Sequence, residues 1–153
     1  MAGRIKVGDV YQIPLPDGRH AFVQYLQWSE QLGYLIRVFD RISGSELESV
    51  GELSSAGELF PPVFAGLKGA VKTGRWKKVG TLPVPPFRFP LFRCTSATKP
   101  GTYENWWLWE GGPQRFIGKL PSEMRALEVE VVWGYEMLEE RIATGHNLFA
   151  DVV

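Results

Sequence analysis

The rhythm of apolar and polar positions changes several times along the chain, and each change marks an element. In VYQIPL (Val10–Leu15), Tyr11, Ile13 and Leu15 fall on every second position, the spacing of a strand with one face buried. Pro16-Asp17-Gly18 then predicts a tight turn. Proline fixes φ, the aspartate side chain accepts a bond from nearby backbone, and glycine takes positive φ. AFVQYLQW and GYLIRVFD follow, the second placing Tyr34, Ile36 and Val38 on one face. Three such strands with short connections predict an antiparallel meander.

The rhythm is lost between Arg41 and Glu58. RISGSELESVGELSSAGE is rich in Ser, Gly and Glu and reads as an exposed loop with at most one irregular turn. LFPPVF is apolar but holds two prolines, which predicts an edge position for any strand there. AGLKGAVKTGRW contains too much glycine to predict a helix, RWKKVGTL reads as a short strand, and PVPPFRFPLF suits an extended segment. YENWWLW and RFIGKL flank EGGPQ, a hairpin connection. Strand geometry sends Trp107 and Trp109 to one face and Trp106 and Leu108 to the other, so both faces are apolar and the strand reads as mostly core. LEVEVVW alternates most regularly, with Leu127, Val129, Val131 and Trp133 inward and Glu128 and Glu130 outward. GYEMLEERIATG predicts a short amphipathic helix with Tyr135, Leu138 and Ile142 on one side and Gly145 at its stop.

Composition supports sheet over helix. The 153 residues include six Trp, nine Phe and five Tyr, residue types that pack well on pleated surfaces. A chain of this length reads as a single globular domain, residues 1–153, able to bury roughly 70% of its unfolded surface without disulfides or metal. The lone Cys94 excludes an internal disulfide framework and fits a reducing compartment. The N-terminus reaches Asp9 before any apolar run develops, and no stretch approaches the ~18 apolar residues of a membrane span. A cytoplasmic protein is expected, with no membrane partner.

Net charge is zero, but its distribution is uneven. Residues 1–58 carry eight acids and five bases, residues 59–103 carry eight bases and no acid, and residues 104–153 carry nine acids and four bases. Two readings follow: an electrostatic footprint, or distant segments that pair after folding. The basic stretch is interleaved with Phe60, Phe64, Trp76, Phe87, Phe89 and Phe92, as a single-strand nucleic-acid groove would be. Zero net charge and the lack of a recognisable nucleic-acid signature argue against that groove.

Catalytic constellations are sparse. His20 and His146 have no partner at metal-ligand spacing, Cys94 reads as an inert buried thiol, and no nucleophile elbow occurs. In GLKGAVKTG, Val71 stands where a phosphate-binding loop needs its second glycine. No catalytic residue, metal site or cofactor is assigned.

One block has a more particular character. KVGDVYQIPLPDGRHAFVQYL (Lys6–Leu26) resembles the start of the immunity protein 26 family of bacterial polymorphic toxin systems. GYLIRVFD, TGRWKKVGTLPV, NWWLWEGG with RFIGKLP, and LEVEVVWGYEMLEERIATG are similar, in order, to that family's later landmarks. The resemblance implies a non-enzymatic protein that binds and neutralises a cognate toxin domain. The family offers no contact residue to carry over. From charge alone, Glu46, Glu48, Glu52 and Glu58 would face a basic toxin, and the cluster at residues 68–78 an acidic one.

The expected fold is mainly β, α+β at the margin: a strongly bent antiparallel sheet or barrel-like domain with one short C-terminal helix. Gly8, Gly18 and Gly118 are expected at turns or close backbone approaches, and Trp76 in the core. The expected function is toxin neutralisation by protein–protein interaction. Its alternative is a module binding sugar or single-stranded nucleic acid on an aromatic sheet face built from Trp107 and Trp109; a hydrolase using scattered carboxylates is a third possibility. Oligomeric state is left open.

Overall fold

A computed structural model describes residues 4–96 and 103–153; Lys99, one of the eight bases of the central stretch, lies outside them. The chain is mainly β and forms two compact units. The first comprises residues 1–86 and 132–146, the second residues 87–131 and 147–153.

The first unit is built on the predicted meander. β1 (Asp9–Pro14), β2 (His20–Ser29) and β3 (Gly33–Val38) pair antiparallel in sequence order. The turn between β1 and β2 has the anticipated chemistry. Gly18 sits at φ +87°, and the Asp17 carboxylate accepts from the Arg19 amide at 3.0 Å. β4 (Val63–Ala65) joins the far side of β3, β5 (Lys77–Thr81) joins the free side of β1, and β10 (Val132–Trp133) pairs parallel with β4. The six-stranded order is therefore β10-β4-β3-β2-β1-β5. Register shifts at Val10/Tyr11 and Tyr25/Gln27 bend the paired strands, but the sheet stays open and forms no closed barrel.

Three expectations need correction here. β4 is not an edge strand, because Pro61 and Pro62 precede it and leave its own amides available to both neighbours. A helix, α1 (Leu67–Lys72), forms in the glycine-rich stretch, so the C-terminal helix α2 (Tyr135–Thr144) is not alone. Burial of Leu67 and Ala70 holds α1, and Gly69 lies where a Cβ would stand 3.7 Å from the Tyr135 ring. LEVEVVW is not one strand either. β9 (Glu128–Val129) lies in the second unit and β10 in the first, and Glu128 is buried rather than outward.

The second unit holds the order β8-β7-β6-β9, from β6 (Phe92–Thr95), β7 (Trp106–Trp109), β8 (Arg115–Gly118) and β9. β6, β7 and β8 pair antiparallel and β9 pairs parallel with β6. The hairpin over EGGPQ forms as predicted. Residues 82–91 carry no regular structure, in keeping with their prolines.

Candidate functional site

Buried polar groups show how the first unit fixes its shape. Asp9 accepts from the Lys6 amide at 2.9 Å, the Thr81 hydroxyl at 3.1 Å and the Tyr11 hydroxyl at 3.3 Å, while the Lys78 amine stands 3.1 Å away. Burial alone would raise this carboxyl's pKa; the Lys6, Lys78 and Thr81 bonds outweigh it and hold the group below 3.8. Gln24 donates to the Gly8 and Leu82 carbonyls and accepts from Arg37 Nε at 2.8 Å. Gly8 is required there, since its φ is +97° and a Cβ would meet the Leu82 oxygen at 2.9 Å. On α2, buried Glu139 takes a bidentate bond from Arg75 and a 2.9 Å bond from the Trp76 indole, which confirms Trp76 as a core residue.

These contacts decide the charge question in favour of folding for part of the basic stretch. Lys78 pairs with Asp9 and Arg75 with Glu139, so bases of the acid-free segment meet acids from both flanks. Within the second unit Arg88 stands 3.7 Å from Glu110, and buried Arg93 donates to the carbonyls of Leu127, Phe149 and Val152. Of the interleaved aromatics, Phe64, Trp76 and Phe92 are buried and so cannot stack on bases.

The acidic loop is anchored from below. Val10, Phe22, Phe39 and Leu53 form a buried cluster against which Leu47, Val50, Ala56, Val79 and Leu82 pack. A 3₁₀ turn, Val50–Leu53, carries Leu53 inward and is closed by a capping box: the Ser49 hydroxyl and the Glu52 carboxylate each accept from the other's end of the turn. Glu52 also accepts from the Glu48 amide at 2.8 Å and pairs with Arg41 at 3.2 Å. The Ser49 amide bond, with Arg41 and the Glu48 amide, keeps its pKa below the ordinary value. Glu52 is thus engaged in shaping the loop. Glu46, Glu48 and Glu58 are exposed around it. The capping signature SVGE was visible in the sequence and was not recognised there.

The aromatic strand divides differently from its simple alternation. Trp106, Leu108 and Trp109 are buried and only Trp107 is half-exposed. Trp109 is 1% exposed, with its ring edge-on to Phe89 at 5.3 Å and tilted against Phe92 at 5.6 Å. Any platform on this sheet therefore consists of Trp107 and its edge-on neighbour Phe116, 5.3 Å away, with Trp109 beneath the surface. Phe116 is 58% exposed, a feature that single-sequence periodicity did not single out. Cys94, paired across from Trp107, has its thiol pushed up to about 11 by burial first and by the charge and hydrogen bond of Glu130 second.

Among the described residues no group of three or more His, Cys, Asp and Glu side chains gathers as a metal site, and no helix is long and apolar enough to cross a membrane. The surface carries an acidic loop braced on a sheet, an exposed aromatic pair of Trp107 and Phe116 on the β7–β8 hairpin, and a second pair, Trp28 edge-on to Tyr34 at 5.0 Å, on the β2–β3 hairpin. The family model for Immunity protein 26 matches residues 6–96, and the chain belongs to that family. Members of such a family are generally non-catalytic. The match takes in the Lys6–Leu26 block, GYLIRVFD and TGRWKKVGTLPV; the NWWLW hairpin and LEVEVV lie beyond it. No curated protein and no solved structure matches the chain.

Proposed function

We propose that this protein binds and neutralises a cognate toxin domain in the cytoplasm, as a stoichiometric partner and without catalysis. Membership of the immunity family is the single observation that carries the reading. The acidic loop supplies a contact surface of suitable design: Glu46, Glu48 and Glu58 stand exposed on a segment whose shape is set by the capping box and the buried Leu53. A braced cluster of one charge attracts an oppositely charged partner and loses little freedom on docking. The favoured partner is a toxin domain with a basic active-site face. Glu52, held by Arg41 and two backbone amides, acts as the loop's brace rather than as a contact.

The test is survival of cells expressing the C-terminal domain of the neighbouring gene's product, with this protein or a Glu46→Lys/Glu48→Lys/Glu58→Lys variant. Rescue by the parent protein and loss of rescue by a folded variant are expected. A toxin that kills regardless of the parent protein would overturn the immunity reading. Full rescue by the variant would remove the loop as the contact surface.

A further inference from the structure

Among the described residues the two sheets have four edge strands, and they are not equally available. β9 and β10 are two residues each, too short to template a partner strand. β5 is flanked by the 3₁₀ turn: Val50 lies so close to Gly80 that a Cβ there would meet its side chain at 2.8 Å. β8 is four residues long, and among the described residues no strand pairs with its outer side. Its outer row of N–H and C=O groups is a template for one more strand.

The side chains of β8 indicate what kind of strand. Phe116 is 58% exposed and leans edge-on against half-exposed Trp107, so an apolar side chain from a neighbouring strand would find an aromatic surface already in place. Arg115 in β8 and Lys119 just after it are exposed, and the paired strand β7 is Trp-Trp-Leu-Trp with no charge to offset them. A second copy of this chain is disfavoured. Two copies joined through β8 would bring Arg115 and Lys119 of each onto one seam, and like charges gathered across paired strands are destabilising. Basic residues and a register shift, both present on β8, also serve to blunt a sheet edge against unwanted pairing, and a blunted edge is the competing outcome of the test below.

We infer that β8 is a strand-addition site for an extended acidic segment of a partner protein, with Phe116 and Trp107 receiving an apolar side chain and Arg115 and Lys119 pairing with carboxylates. The site lies outside the family-matched residues and is independent of the acidic loop, so it stands or falls apart from the immunity reading. The probe is a capped peptide of about ten residues, alternating Glu and Val, compared with its Lys/Val counterpart. The readout is amide hydrogen exchange of the full chain. The acidic peptide should bind saturably and slow exchange across Arg115–Gly118 at least about tenfold, an effect that shrinks as salt rises from about 50 mM to about 500 mM. An Arg115→Glu/Lys119→Glu variant, which alters only exposed charges, should reverse the preference to the lysine peptide with its circular dichroism unchanged. Absence of saturable binding, equal binding of both peptides, or protection that falls elsewhere would each overturn the site and leave the edge as simply blunted.

Discussion

The two units reach stability by different means. In the first, a six-stranded sheet and α2 are tied together by buried polar groups, each with named partners: Asp9 to Lys6, Thr81 and Lys78, Gln24 to Arg37 and two carbonyls, Glu139 to Arg75 and Trp76. In the second, short strands are held mainly by large rings, Trp106 and Trp109 with Phe92, and by one arginine that fastens the chain's last residues to β6. A buried polar network tolerates few substitutes, because a missing partner leaves a desolvated group behind. Ring packing tolerates many shapes of similar volume. The family's sequence signal, residues 6–96, falls largely on the first kind of construction.

That contrast can be broken in several ways. The largest effect is expected from Trp109→Ala, about 4 kcal/mol by loss of a buried ring, with protection from hydrogen exchange lost first in the second unit. Glu139→Ala should cost about 3 kcal/mol, since it removes charged hydrogen bonds and orphans the Trp76 indole N–H, whereas exposed Glu140→Ala should stay within about 0.5 kcal/mol in the same urea titration. If the two glutamates prove equal, the polar tethers are not what organises the first unit.

Ser49→Ala removes the cap of the 3₁₀ turn and should cost about 1 kcal/mol, read as faster exchange confined to residues 48–56. Asp9 sharpens the picture through pH. Its folded pKa lies below the unfolded value near 3.8, so its stabilisation is present above that pH and fades as pH falls through the folded value. Asp9→Asn should therefore lower stability at neutral pH and flatten the acid limb below about pH 4 in a series of thermal melts. The smallest consequence is kinetic: with its thiol raised from 9.0 to about 11, Cys94 should be alkylated at pH 8 roughly 100-fold more slowly than a thiol at the ordinary value.

Local rules made the meander, the Asp17–Gly18 turn, the EGGPQ hairpin and α2 with its Gly145 stop legible, because each depends on residues close in sequence. What escaped depends on residues far apart. α1 forms although its glycines disfavour it, since tertiary burial of Leu67 and Ala70 overrides local preference. The alternation in LEVEVVW could not show that the chain changes sheets at Glu130–Val131, nor that Glu128 would be buried beside β6. At the candidate site, the loop glutamates were visible as charge, but only the capping geometry separates Glu52, the brace, from Glu46, Glu48 and Glu58. Trp107 and Trp109 looked equivalent by period, and the packing of Phe89 and Phe92 distinguishes them.

The most direct measurement is a titration of the purified toxin domain's activity with this protein. Neutralisation by binding predicts a linear fall to zero at an equimolar ratio, with activity recovered when the complex is dissociated. Undiminished activity at excess protein, or irreversible loss at far less than one equivalent, would contradict it.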